Sequence, residues 1–361
     1  MNRRKFLAAS AFTFFASGLS SYTQPFLFSQ SKLKSKEKRS IKPKRLKEGE
    51  RVGIIAPASF ITEEDFEKIK VNLENIGLIA VPSKNLFKKT GYLAGADQER
   101  VEDLHEMFAR KDIAGIFCAR GGYGTPRILH LINYDLIRKN PKVIIGYSDI
   151  TALLIAIYVK TGLITFHGPV GISTFNDFTK NYMKQILFEA SDYVDLISEP
   201  ETLDENEKQI SSIGNEIIKI SSGKAEGNLV GGNLSLLISL LGTEFDFNPE
   251  NKIIFIEEVG EEPYRIDRML THLINSKKIG KCKAVVMGVF SNCEVKKENP
   301  SFRDSFTLRE VLVDRLSSLR IPVIYGLSFG HIKNKFTLPI GVRAMIDVEK
   351  EKFALLEPAV R

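Results

Sequence analysis

The sequence predicts an α/β protein: a parallel sheet wrapped by helices, followed by a smaller, strand-rich mixed α/β unit. Three observations carry this reading. Short apolar runs such as Val143-Ile144-Ile145 and Ile253-Ile254-Phe255-Ile256 have the length and β-branched content of buried strands. From residue 51 to 160 such runs alternate with stretches of helical periodicity, the pattern of a parallel sheet with crossover helices. The chain has 361 residues, 43% of them hydrophobic, enough apolar material for two cores.

Taken in order, Val52 to Ala58 reads as a first strand ending in a turn, Glu63 to Ile76 as a helix and Leu78 to Pro82 as a second strand. A helix over 97–109 precedes a third strand over 113–118, which runs into Arg120-Gly121-Gly122-Tyr123-Gly124. Residues 126–137 read as helix, 143–145 as a fourth strand and 149–160 as a helix with an apolar face. Chemistry in such a sheet belongs at the carboxyl ends of the strands. Between 176 and 224 the periodicity weakens, and an acidic run from Glu199 to Lys208 has no apolar stripe, so this span reads as a connection. Beyond it, strands are expected at 223–230, 252–256, 284–289, 323–325 and 344–348, with helices near 234–241, 265–274 and 308–319. The predicted organisation is an export signal over 1–30, a basic linker over 31–48, a nucleophile-bearing domain over 49–175, a connection over 176–224 and a second domain over 225–361.

The net charge of +7 is unevenly placed. Residues 1–47 hold 12 of the 51 Lys/Arg and one of the 44 acids, which leaves 39 bases against 43 acids in the remainder. The body therefore lacks the global basic footprint of a nucleic-acid binder. Arg3-Arg4-Lys5-Phe6-Leu7 followed by an apolar run to about Leu19 matches a charged region ahead of a hydrophobic one, and the arginine pair resembles a twin-arginine export signal. The run is shorter than the roughly 20 residues of a membrane-spanning helix, so removal is expected rather than anchoring. Periplasmic work is the expected location, and cytoplasmic work the alternative. Lysine-rich 32–47 reads as a solvated tether that either links passively or leans on anionic lipid or wall polymer. Cys118, Cys282 and Cys293 form neither a zinc pattern nor a disulfide framework. Unpaired thiols are the simpler reading, with a Cys282–Cys293 bridge as the alternative. No cofactor or metal is expected.

The candidate chemistry lies at a few turns. In Gly146-Tyr147-Ser148-Asp149-Ile150, a serine on a sharp strand-to-helix turn would be lifted from the sheet, beside a backbone N–H able to meet an oxyanion. Ile150 stands where a full nucleophile elbow has a second glycine, so a helix-capping role for Ser148 or Asp149 remains equally open on pattern alone. The glycines of 120–124 allow close backbone approach and could supply another oxyanion donor or a phosphate cradle. The spacing of a dinucleotide site is absent, and no acid follows about twenty residues on. Among five histidines, His331 in Gly330-His331-Ile332 has the turn context of a base. His105, His130 and His272 lie within helical patterns, and His167 in His167-Gly168-Pro169 is a candidate pocket residue. Glu257-Glu258 after an apolar run offers the orienting acid, in the order Ser…Glu…His.

Together with Ile55-Ala56-Pro57-Ala58-Ser59, Gly231-Gly232-Asn233-Leu234, Tyr264-Arg265-Ile266-Asp267-Arg268 and Leu338-Pro339-Ile340-Gly341, these motifs resemble the LD-carboxypeptidase family of serine peptidases from about Arg51 to the C-terminus. That family includes murein tetrapeptide carboxypeptidases and microcin C immunity peptidases. The resemblance implies a flavodoxin-like N-terminal domain, a smaller β-rich C-terminal domain and a homodimer. It also implies Ser148 as nucleophile, Glu257 as acid, His331 as base, and oxyanion donors from the backbone of Gly122 and Asp149. The murein branch releases the terminal D-alanine of a tetrapeptide, for whose carboxylate Arg120 is a candidate partner, with pairing to a neighbouring acid an equally open role for it, and Gly121, His167 and Asn233 as further substrate-binding candidates. The microcin branch cleaves a peptidyl-nucleotide analogue; the absence of tryptophan removes one platform for a purine. Murein-recycling members work in the cytoplasm, so the apparent export signal departs from them. An esterase-like α/β hydrolase and a tethered, non-enzymatic ligand-binding module are the rival readings.

Overall fold

The computed structural model describes residues 40–199, 216–296, 298 and 300–361. The export signal, the first half of the basic linker and the larger part of the acidic run lie outside them. In chain order the strands are β1 (Arg51–Ile55), β2 (Ile79–Pro82), β3 (Gly115–Cys118), β4 (Val143–Gly146), β5 (Thr165–His167), β6 (Val194–Asp195), β7 (Ile218–Ser221), β8 (Lys224–Asn233), β9 (Lys252–Val259), β10 (Ala284–Ser291), β11 (Val323–Gly330), β12 (Leu338–Ile340), β13 (Arg343–Asp347) and β14 (Lys352–Leu355). The α-helices are α1 (Glu63–Glu74), α2 (Asp97–Ala109), α3 (Thr125–Ile128), α4 (Tyr134–Lys139), α5 (Ile150–Thr161), α6 (Asp177–Leu187), α7 (Leu234–Leu240), α8 (Pro263–Asn275) and α9 (Leu308–Leu316).

Two sheets organise these elements. The first has the order β12-β5-β4-β3-β1-β2, parallel from β5 to β2, with β12 antiparallel at one edge. Its first five strands follow the 2-1-3-4-5 order of a doubly wound sheet, in which ligands meet the loops at the carboxyl ends of the strands. Val52, Ile116, Ile144 and Phe166 are fully buried, as expected where helices cover both faces. The second sheet has eight strands, β6-β14-β13-β8-β9-β10-β11-β7, with β8 to β11 parallel and the outer strands antiparallel. Because β12 returns from the C-terminal half to pair with β5, the two halves of the chain share the first sheet.

Several elements differ from expectation for identifiable reasons. Residues 126–137 break into α3, a short 3₁₀ turn and α4. Asn133 makes the break: its N–H donates to His105 Nε2 (2.8 Å), and its side chain caps α4 by accepting from Leu136 N (3.0 Å). The span 176–224 contains a regular helix, α6, capped by Asn176, and two strands that join the second sheet. Residues 40–48, expected as the end of a solvated linker, are part of the body. Leu46 is buried, Ile41 bridges Leu163, and Arg45 and Pro43 exchange backbone hydrogen bonds with Arg361. Burial of one leucine and these pairings outweigh the polar composition that suggested a tether. All three cysteines are unpaired and buried, and burial pushes each thiol above its usual range.

Candidate active site

The turn after β4 carries the first candidate. Ser148 adopts φ +64°, a left-handed conformation that a side-chain-bearing residue occupies only when its surroundings impose it. The missing second glycine is explained by the first. A Cβ on Gly146 would lie 2.8 Å from Ile150 Cγ2, so the close strand–helix approach of the elbow is met by Gly146 alone. Neither Ser148 nor Asp149 caps α5 through its side chain. Instead the Asp149 carboxylate turns back to accept from Thr125 N (2.8 Å), while Thr125 Oγ1 donates to Asp149 O. Burial raises the Asp149 carboxyl above its usual value, with Thr125, Gly124 and Arg100 opposing.

The glycine turn after β3 lies against this serine. A Cβ on Gly121 would come 2.9 Å from Ser148 Cβ, and one on Gly122 (φ +115°) would come 2.2 Å from Ser59 Oγ. Glycine is therefore required at both positions. Ser59, from the loop after β1, accepts from Tyr123 N (3.3 Å), and its own N–H donates to Gly121 O (3.4 Å). The loops are tied together from below by Arg100, fully buried on α2, which donates to Pro57 O (2.5 Å) and Gly124 O (3.0 Å) and pairs with Asp97. The backbone N–H groups of Gly122 and Asp149 make no hydrogen bond to any described residue. Asp149 directly follows the serine, and Gly122 directly follows Gly121, which is packed against it.

The second sheet delivers the other two candidates. Glu257, on β9, is fully buried, and its Oε2 lies 2.7 Å from Nδ1 of His331, the residue that follows β11. Burial works to raise Glu257, but the neighbouring His331 outweighs it, with His167 and Asn233 contributing, and holds this carboxyl below its usual value. An ionised carboxylate only accepts, so Nδ1 carries the proton and Nε2 is left as the acceptor. The adjacent Glu258 points to the opposite face of the strand. It accepts from Asn233 Nδ2 (2.8 Å), Ser235 N (2.8 Å) and Ser235 Oγ (2.7 Å), and burial together with the Glu257 charge raises it. The choice between the two acids is thereby made by strand alternation.

The serine and histidine halves meet around Tyr147, whose ring lies 4.8 Å from that of His331 and 6.1 Å from that of His167. The buried Lys335 ammonium sits 4.9 Å above the same tyrosine ring. His167 is buried against Phe255 (5.3 Å), and neither ring nitrogen has a hydrogen-bond partner among the described residues. Burial lowers it to about 4, with the Glu257 charge opposing. Arg120 is half-buried and donates to Phe60 O (3.4 Å). Asn233 caps α7 through Leu236 N and holds Glu258, so its amide is committed within the fold.

Sequence reasoning assigned no role to the residues that fasten these parts together: Ser59, Arg100, Thr125 and Thr151. Thr151 Oγ1, one turn after Ser148, accepts from Asn233 N (3.0 Å) and joins the serine-bearing helix to the acid-bearing sheet. A Cβ on Gly232 would collide with this threonine at 2.5 Å, so the Gly231-Gly232 pair was the available signal.

A serine on a strained turn, an imidazole oriented by a buried carboxylate and two backbone N–H groups beside the serine are the components of acyl transfer. The family models for the LD-carboxypeptidase N-terminal and C-terminal domains match residues 52–168 and 226–346. A probable murein peptide carboxypeptidase of Bacillus subtilis is 41% identical over 326 residues, covering 88% of this chain and 95% of that protein. The microcin C7 self-immunity protein of Escherichia coli is 32% identical, covering 84% and 91%. Among solved structures, a muramoyltetrapeptide carboxypeptidase from Oxalobacter formigenes superposes with a TM-score of 0.69 at 28% identity, covering 84% of this chain and 97% of that one. The chain belongs to the LD-carboxypeptidase family and is a serine-type LD-carboxypeptidase.

Proposed function

We propose that this enzyme releases the terminal D-alanine from murein tetrapeptides by cutting an L,D-peptide bond through an acyl-enzyme. The observation that carries the reading is the 2.7 Å His331–Glu257 pair packed against Tyr147, the residue that immediately precedes the strained Ser148. His331 Nε2 takes the Ser148 proton as Oγ attacks the carbonyl carbon, and Glu257 stabilises the imidazolium. The N–H groups of Gly122 and Asp149 hold the oxyanion. The protonated imidazole then gives its proton to the departing D-alanine nitrogen, and water, deprotonated by the same histidine, releases the acyl group. Arg120, whose guanidinium donates to Phe60 O, is the proposed partner of the substrate carboxylate. The murein names of the B. subtilis and O. formigenes proteins support this substrate class.

Mass-spectrometric detection of D-alanine from a purified murein tetrapeptide, with wild type and Ser148→Ala, tests the proposal. Release by the wild type and none by the variant is expected. A folded wild type that releases none overturns it. The self-immunity relative supports a second substrate, a peptidyl-nucleotide analogue, and the same assay with that compound decides between them.

We further infer an exported, periplasmic enzyme that works as a homodimer. The twin-arginine-like start supports export, and a fusion of residues 1–50 to a reporter is expected to leave the cytoplasm. Retention inside the cell would refute it, and sedimentation at micromolar concentration reads the dimer.

A further inference from the structure

At the end of the first sheet opposite Ser148, a groove of about 1080 Å³ opens beneath the starts of β1, β3 and β4. Two sets of cations line it. Lys44, Arg45 and Lys47 come from the segment that enters the body, and Lys111, Lys139 and Lys142 from the turns leading into β3 and β4. With Arg51 and Arg361, which also line the groove, eight basic residues face Glu50 and Asp112, and Asp112 is already paired with Arg51 (3.3 Å) and Arg110 (2.8 Å). The chain beyond residue 47 carries more acids than bases, so this concentration of positive charge is local rather than a share of a basic surface.

The groove is also preformed. Arg45 N donates to Arg361 O (3.0 Å), Arg361 N to Pro43 O (2.9 Å) and Leu46 N to Leu187 O (2.8 Å), which fixes the backbone carrying three of the cations. Lys142, itself buried, is held by the carbonyls of Met107 (2.8 Å) and Arg110. Ordering costs on binding an anion are correspondingly small. Among the described residues no aromatic side chain lines the groove, so they offer no stacking platform for the bases of single-stranded nucleic acid. Its concavity suits a strand lying along it better than a flat membrane, which would meet only the rims.

We propose that this groove binds a linear phosphodiester polyanion, a polyol-phosphate strand of the cell wall, and holds the enzyme against the matrix that bears its substrate. The choice of a wall polymer rests on the proposed export. Binding to polymer and hydrolysis of free tetrapeptide are separate readouts, so failure of one leaves the other standing. The test measures binding of the full chain to poly(glycerol phosphate), beside phosphatidylglycerol vesicles and single-stranded DNA of equal charge. It compares the parent with Lys44→Glu/Lys47→Glu/Lys139→Glu and with a control carrying the same reversal at Lys68, Lys277 and Lys296. The groove variant is expected to bind the polymer at least tenfold more weakly, with a shallower salt dependence. The control is expected to bind within twofold of the parent, and tetrapeptide hydrolysis to stay unchanged in both. Equal loss in both variants, no loss in the groove variant, or tighter binding of vesicles or DNA than of polymer overturns the proposal.

Discussion

The turn after β4 and the ends of β9 and β11 bring their residues to the same place by different physics. The turn relies on backbone. Ser148 is held at φ +64° by a glycine that admits Ile150, by the Thr125–Asp149 lock and by a second glycine turn pressed against it. The strand ends rely on side-chain electrostatics, with a buried carboxylate kept ionised by the imidazole it orients. Strain at the turn is a cost met by the surrounding packing, whereas charge at the strand ends is balanced only while both partners are present. Substitutions should therefore separate the regions: at the turn activity falls while stability holds or rises, and at the strand ends both fall together.

The largest separation is expected at Ser148. Ser148→Ala should lower kcat/KM for tetrapeptide by about 10⁴-fold or more, leaving the thermal midpoint unchanged. Ser148→Gly should lose as much activity and gain about 1 kcal/mol in denaturant unfolding, because glycine occupies the left-handed region freely. A destabilised Ser148→Gly would remove strain from the account of this turn. Next in size, Glu257→Gln should lower kcat by on the order of 10³-fold and destabilise the fold, since the glutamine cannot offset the imidazolium. Glu258→Gln should cost less than tenfold in kcat. Equal losses at the two glutamates would break the assignment of Glu257 as the orienting acid.

How much of this was legible in the sequence follows the same division. The alternation of apolar runs and helical stretches gave the doubly wound sheet, and residue types at turns gave Ser148, His331 and the glycines, because these are local signals. The choice between Glu257 and Glu258 was not local: neighbours on a strand face opposite ways, and only the position of β11 decides which face meets His331. The fastening residues Ser59, Arg100, Thr125 and Thr151 act across sequence separations of 24 to 82 residues and leave no periodic trace. Three-residue β5 and Pro339-bearing β12 are too short to show alternation, and proline is tolerated there because β12 is an edge strand. Lysine-rich 40–47 read as tether because a single buried leucine carries little pattern against so much charge.

A smaller effect probes the glycine turn itself. Gly122→Ala places a methyl where Ser59 Oγ now lies and forces φ +115° on a residue with a side chain, displacing the N–H proposed to meet the oxyanion. Loss of one such donor costs about 10²- to 10³-fold in kcat, with KM nearly unchanged. Adding Ser59→Gly removes the clash but not the backbone strain, so partial recovery of kcat is expected. Full recovery would show that crowding alone, rather than the position of the N–H, limits the single variant.

The smallest effect concerns His167, which lies beside both regions. Burial lowers it from 6.5 to about 4. Between these values the unfolded chain binds a proton that the folded chain excludes, so stability from this group is fully present above about 6.5 and is lost as pH falls toward about 4. The expected contribution is a slope of up to about 1.4 kcal/mol per pH unit within that window. His167→Gln cannot titrate, so its unfolding free energy, measured in denaturant from pH 7 to pH 4.5, should lose that part of the slope. An unchanged slope would mean that His167 takes up its proton in the folded protein at the same pH as in the unfolded chain. The ring would then be solvated, and the wall between the serine turn and the acid-bearing strand would be wetter than its burial implies.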